Sequence, residues 1–293
     1  MDVRFTKMQG AGNDFIVVDE WEAEVIPEEE KPSFVAMVSD RHFGVGSDGV
    51  IFVQKSSSQD ARFHFFNPDG SIAEMCGNGI RCFAKYAYEK DLVGNESISV
   101  ETLAGVKRLE LEVSDGIVRG VMVSMGAPQV ERGDAQVTIG DPSEPMVLEE
   151  VDVDGNIYVI TAVGMGNPHA VLFVDDVDEA DVLGDGSTIR HYVKAFPNGV
   201  NVHFVEDVGD NEFRIRTYER GVEGETLACG TGICASAVAS ALAGKADTSR
   251  TLVFHARGGI VKINLDGDGS GFTDVRMTGP AETVFTGNFQ YKK

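Results

Sequence analysis

One local pattern occurs twice in this chain, and a chain that carries it twice is expected to fold as two related halves. Glu74-Met75-Cys76-Gly77-Asn78-Gly79 and Leu227-Ala228-Cys229-Gly230-Thr231-Gly232 both read C-G-x-G, and each runs into a helical stretch, from Ile80 and from Ile233. Upstream of the first lies the strand-like Arg62–Asn67 segment and then Pro68-Asp69-Gly70; upstream of the second lies the alternating Glu212–Glu219 segment and then the loop Arg220–Gly224. Strand, polar glycine loop, C-G-x-G and helix therefore form a repeated unit of domain size. Small residues let a backbone approach a ligand closely, and a helix start offers unpaired N–H groups with positive dipole charge. A cysteine placed there is expected to have a lowered pKa. Two equivalent cysteines suggest a pair acting on opposite faces of one carbon. Cys82 and Cys234 lie inside the helices and read as buried small hydrophobes.

Strand patterns dominate elsewhere: 15–19, 50–53, 97–101, 109–113, 117–123, 137–139, 157–163, 170–174, 200–205, 252–256 and 261–265. Helical patterns are few: Pro32–Asp40, the two C-G-x-G helices, and Ile189–Phe196. The expectation is an α+β protein of two halves, each a mostly antiparallel sheet wrapped around a central helix. The Met125–Pro128 break places the domains at 1–126 and 127–280, with 281–293 returning to the first.

The net charge of −22 argues against nucleic acid or an anionic membrane as partner. Acidic runs such as Glu149–Asp154 read as solvated faces and loops. Four cysteines without a C-x-x-C argue against a disulfide scaffold and against a metal site. No apolar h-region follows Met1 and no apolar run reaches membrane-span length, so a cytoplasmic location is expected. Gly44–Gly49 matches G-x-G-x-x-G, but it lacks the preceding strand and the following long helix of a dinucleotide site.

Further motifs complete a resemblance. Gly10-Ala11-Gly12-Asn13-Asp14-Phe15, Asp69-Gly70-Ser71 with Met75–Cys82, Gly166-Asn167-Pro168-His169, Pro197-Asn198-Gly199-Val200-Asn201, and Tyr218-Glu219-Arg220-Gly221 through Gly232 stand in this order. Together they resemble the diaminopimelate epimerase family over nearly the whole chain. Proline racemase-like relatives share the paired cysteines but typically carry histidine after the first Cys-Gly and lack this Tyr-Glu-Arg-Gly. The resemblance implies two pseudo-symmetric α+β domains with the active site in the cleft between them, and epimerisation of LL- to meso-diaminopimelate without a cofactor, on the lysine and peptidoglycan-precursor route, by a homodimer. It implies catalytic roles for Cys76 and Cys229, with His169 and Glu219 in support. Substrate contacts are implied for Asn13, Asn67, Asn167, Asn201, Glu219 and Arg220, with backbone cradles at Gly77-Asn78 and Gly230-Thr231. Some members have a substrate-contacting glutamine where Gly49 stands, and the Val222-Glu223-Gly224 stretch is one residue longer than the common bacterial form. The alternatives are a proline or hydroxyproline racemase-like enzyme of the same architecture and, from another class, a dithiol redox or binding protein. Redox pairs normally sit close in sequence, which disfavours the last.

Overall fold

The computed structural model describes residues 1–268 and 271–292. The chain divides into two units, Met1–Val123 with Thr278–Lys293, and Ser124–Met277.

In the first unit β1 (Asp2–Gly10) and β2 (Asn13–Asp19) form a hairpin in which Gly10 faces Asn13. The two loop residues Ala11 and Gly12 both have positive φ (50° and 89°), the turn whose twist matches paired strands. Helix α1 (Lys31–Ser39) carries the chain to β3 (Gly49–Gln54), parallel to β2, and β4 (Ala61–Phe66) returns antiparallel. A two-residue strand β5 (Ile72–Ala73) adds to β4 before α2 (Gly77–Glu89) crosses to β6 (Ser97–Thr102), which runs parallel to β4. Strands β7 (Gly105–Ser114) and β8 (Ile117–Ser124) follow as an antiparallel hairpin. Parallel neighbours need a crossover, and in both cases the crossover is where the helix lies.

The second unit repeats this order. A short edge strand β9 (Glu149–Val153) pairs with β10 (Asn156–Gly164), and β10 pairs antiparallel with β11 (Pro168–Phe173). Helix α3 (Gly184–Arg190) leads to β12 (Asn201–Gly209), parallel to β11, and then to β13 (Glu212–Glu219) and the short β14 (Gly224–Thr226). Helix α4 (Gly230–Leu242) crosses to β15 (Leu252–Ala256), parallel to β13, followed by β16 (Gly259–Gly267) and β17 (Phe272–Gly279). The last strand, β18 (Glu282–Gln290), pairs antiparallel with β1, so it flanks β1 as β9 flanks β10. Among the described residues the pairing is mixed, antiparallel for the most part with two parallel pairs in each unit.

Each unit is built around its second helix. Asn78–Ala87 of α2 are buried, and the helix packs on β1, β2, β3 and β7. Phe83 meets Phe63 edge to face at 5.5 Å, and fully burying such a ring contributes about 2–3 kcal/mol. Helix α4 is a run of small residues buried from Gly232 to Ser240, which lets it lie close to β10, β11, β12 and β16. A second core covers the opposite face: α1 residues Phe34, Val35 and Val38 pack with Ile16, Val50 and Phe52 in the first unit. In the second unit Ile189 and Phe196 pack with Ala170, Val202 and Phe204.

Three local expectations fail for physical reasons. Val137–Ile139 is not a strand; Val137 is buried in the core of the second unit, while the Thr138 N–H and hydroxyl donate to the carbonyls of Ala195 and Lys194. The helix expected over Ile189–Phe196 lies earlier, at Gly184–Arg190, and the apolar residues that suggested it belong to the turn after it. The acidic run at Glu149 is an edge strand in which Val151 and Val153 point inward and the acids point out, a charged edge that discourages pairing with other chains. Among the described residues no helix is long and apolar enough to cross a membrane.

Candidate active site

Cys76 is the N-cap of α2 (φ −139°, ψ 117°), and Cys229 is the N-cap of α4 (φ −118°, ψ 108°). Both have the extended backbone that an N-cap needs. The Cys76 Sγ accepts from the Gly79 N–H at 3.4 Å. The Cys229 Sγ lies 3.6 Å from the Thr231 hydroxyl. Two glycines in the first turn of a helix cost about 1 kcal/mol each in propensity, so other contacts must hold these turns. In α2 the fully buried Arg81 does so, donating to the carbonyls of Gly77 (3.1 Å) and Pro280 (3.2 Å). In α4 the glycine is obligatory for space: a Cβ on Gly232 would lie 2.1 Å from the His203 ring. Burial pushes the Cys82 thiol up to about 12, which removes it as a thiolate source.

In the first unit the Asn78 amide donates to the Asn13 carbonyl oxygen, and the Asn13 amide donates to Asp48 at 2.9 Å. Asp48 also accepts from Arg41, and Arg41 and Lys7 pair with Asp14. Those two cations hold the Asp14 carboxyl below its usual range although its burial opposes this. This charged platform fixes Asn13 at the hairpin end beside the first turn of α2. Asn67 follows β4 and donates to the Ser71 hydroxyl at 3.0 Å, inside its own turn.

In the second unit the Asn201 amide bridges two loops. It donates to the Pro168 carbonyl (3.1 Å) and accepts from the Arg220 backbone N–H (3.0 Å). The Arg220 guanidinium donates to the Asn198 carbonyl at 2.9 Å. Glu219 ends β13 opposite Gly224. In the loop after β13 Glu223 pairs with Arg190 (2.8 Å) and accepts from the Gly221 N–H (3.0 Å), which ties the loop to the end of α3.

His169 is buried, with Nε2 2.8 Å from the Asn167 Oδ1 and Nδ1 2.9 Å from Nε2 of the equally buried His203. Thr217 stands 2.9 Å behind, at His203 Nδ1. Burial holds His203 down to about 3, and burial, then His203 and Arg220, hold His169 well below its ordinary value. His169 is therefore a neutral, fully bonded imidazole that orients Asn167. The unfolded chain takes up protons near pH 6.5 that the folded pair refuses, so stability is full above that pH and falls below it. Each such imidazole contributes about 1 kcal/mol per pH unit in that window. Guanidinium unfolding midpoints are expected to drop between pH 7 and pH 5, and a flat midpoint would contradict neutral burial of the pair.

The strand registers equate the two units position by position. Phe15 faces Gly49 as His169 faces Asn201, and Ile51 faces Phe65 as His203 faces Thr217. Asn67 and Glu219 occupy the equivalent place one residue beyond Phe66 and Tyr218. This explains Gly49: a Cβ there would meet the Phe65 ring at 2.5 Å and the Phe66 carbonyl at 2.6 Å, so no glutamine fits. Where the first unit has Gly49 under a large Phe65, the second has Asn201 beside the smaller Thr217. His203, Thr217, Asp48 and Arg81 are missing from the sequence-based set of site residues. The alternation Asn201-Val202-His203 in a strand is the available signal for His203.

Two topologically equivalent α+β units, each built around a buried helix, define the fold. That fold is shared with the solved structure of a Bacillus anthracis phenazine biosynthesis protein of the PhzF family (TM-score 0.73, 18% identity, covering 99% of this chain and 100% of that one). It is also shared with a probable proline racemase from Agrobacterium radiobacter K84 (TM-score 0.70, 15% identity, covering 99% and 93%). The diaminopimelate epimerase family model matches residues 5–131 and 161–284. The diaminopimelate epimerase of Geobacillus thermodenitrificans is 45% identical over 288 residues, 98% of this chain and 97% of that protein. That of Methanothermobacter thermautotrophicus is 45% identical over 293 residues, 97% and 98% of the two chains. The chain belongs to the diaminopimelate epimerase family.

Proposed function

We propose that this protein interconverts LL- and meso-2,6-diaminopimelate by a two-base reaction at one α-carbon, with no cofactor. The observation that carries the reading is the pair of cysteines at equivalent N-caps of two equivalent helices. An amino-acid α-hydrogen is very weakly acidic. Without an imine-forming cofactor the developing negative charge must be stabilised in the substrate carboxylate, and aimed N–H dipoles are the usual means. The first turns at Gly77-Asn78 and Gly230-Thr231 supply such donors. One cysteine thiolate takes the α-proton, so the C–H bond breaks, an S–H bond forms and the electron pair spreads into the carboxylate. The other cysteine thiol delivers its proton to the opposite face and becomes the thiolate. The protonation states of the two sulfurs are exchanged after each turnover, so the reverse reaction uses the same groups.

Asn13, Asn67, Asn167, Asn201, Glu219 and Arg220 are assigned to substrate recognition. Asn201 acts mainly by placing Pro168 and Arg220, and His169 by orienting Asn167. Arg220 suits the carboxylate of the non-reacting end, since its planar fork binds carboxylate in bidentate fashion. Arg220→Lys keeps the charge but loses the fork, and kcat/KM is expected to fall by about 10–100-fold; unchanged kinetics would remove Arg220 from the substrate site. We place the enzyme in the cytoplasm, as a homodimer, on the lysine and peptidoglycan-precursor route. Chiral separation of products from LL-diaminopimelate, with L-proline and trans-4-hydroxy-L-proline as controls, tests the reading. Conversion of diaminopimelate alone is expected, and turnover of proline in its place would overturn the assignment.

A further inference from the structure

A buried polar chain runs under the site of the second unit, from Thr217 through His203 and His169 to Asn167, in steps of 2.9, 2.9 and 2.8 Å. The fold does not require it. The equivalent positions in the first unit are Phe65, Ile51 and Phe15, all buried, and the two phenylalanine rings meet edge to face at 5.9 Å. A buried polar layer where an apolar one would serve is costly unless every member is bonded. Its retention in one unit alone points to a task.

We propose that His203, backed by Thr217, is a positioning residue that fixes the tautomer of His169 and so turns the Asn167 amide to present its two N–H groups to a substrate carboxylate. This extends the epimerase reading given above and rests on it for the identity of the substrate. Two proton arrangements along the chain are formally possible, and the accounting of donors selects one. If the Thr217 hydroxyl donates to His203 Nδ1, then His203 Nε2–H donates to His169 Nδ1 and His169 Nε2–H donates to Asn167 Oδ1. Every buried N–H and O–H then has an acceptor. The reverse arrangement leaves the Thr217 hydroxyl proton, on a side chain that is 3% exposed, with no acceptor among the described residues, at the usual cost of a buried unsatisfied donor. In the selected arrangement the Asn167 carbonyl oxygen is occupied. Its Nδ2, which bonds to nothing else among the described residues, is the end that faces outward. Asn167 is then a donor for carboxylate oxygen and cannot accept from a substrate ammonium through the same atom. His203 also stands against Gly232, so the same ring sets the first turn of α4 beside Cys229.

The test is ¹⁵N imidazole NMR of the whole protein at neutral pH, combined with kinetics of Thr217→Val and Thr217→Ser. The wild-type protein should show His169 and His203 both neutral and both protonated on Nε2. Thr217→Val, which keeps the shape and removes the hydroxyl, should perturb the His203 tautomer. It should also raise KM for diaminopimelate about tenfold with a smaller effect on kcat. Thr217→Ser should restore both. Nδ1–H tautomers in the wild-type protein would overturn the proposal, as would Thr217→Val with unaltered tautomers and unaltered KM. The wild-type tautomers are read without substrate, so they stand or fall separately from the epimerase assignment; protein with the stated tautomers but no action on diaminopimelate would refute the latter alone.

Discussion

Cys76→Ala and Cys229→Ala are each expected to lower kcat/KM for LL-diaminopimelate by about 10⁴-fold or more, because proton transfer by a positioned group contributes up to about that factor and no second base can substitute for it. Neither change should unfold the protein. Cys76 is only half-buried, and each cysteine caps its helix largely through backbone that alanine can adopt. Cys82→Ala and Cys234→Ala are the controls. Both sit inside their helices, fully buried, and the Cys82 thiol stays protonated at any working pH. They should retain most activity and lose about 1–2 kcal/mol of stability to the small cavity left behind. Equal losses in all four variants would show that the cysteines act through packing, and the two-base assignment would fail.

Gly232→Ala should be severely disruptive in spite of its helical position. Replacing glycine by alanine within a helix normally gains up to about 1 kcal/mol. Here the new Cβ would stand 2.1 Å from His203 Cε1 and 2.7 Å from its Nε2. The ring cannot swing aside, since His169 and Thr217 hold both nitrogens and the residue has no exposed surface. The first turn of α4 must move instead, and with it Cys229 and the N–H groups of Gly230 and Thr231. Overpacking of this kind costs about 1–3 kcal/mol or more, so the denaturation midpoint should fall and activity should be lost together. Gly79→Ala is the contrast: its Cβ would lie 3.3 Å from Cys76 Cβ, a contact that slight shifts relieve. A Gly232→Ala protein as stable as wild type would show that the His203 ring has freedom this packing denies.

The duplicated architecture was legible because its signals are local. Alternation in Glu212–Glu219 gave β13 at its true bounds, and the C-G-x-G runs marked where both central helices begin. Strand β1 escaped because Phe5, Thr6, Lys7 and Met8 are buried in succession, so its sequence lacks a clean period of two. Strand β9 escaped because its inward valines are separated by acids that look like a solvated loop. The candidate site divides in the same way. The asparagines, Arg220 and the cysteines lie in turns, at strand ends and in caps, where residue type and local geometry are closely linked. The polar layer of His169, His203 and Thr217 comes from three strands and is set by register, which no single stretch of sequence contains. The reason for Gly49 is likewise a ring from the neighbouring strand.

The central step of the proposed reaction is proton removal and return at an amino-acid α-carbon by two sulfurs with no cofactor. The direct measurement is solvent exchange: purified protein and LL-diaminopimelate in D₂O with reductant and nothing else added, followed by mass spectrometry and NMR of the separated isomers. A two-base reaction predicts that newly formed meso product carries one deuterium at the inverted α-carbon, while LL-substrate recovered early in the reaction carries almost none. Epimerisation without deuterium in the product, or no exchange until a carbonyl cofactor is added, would contradict it.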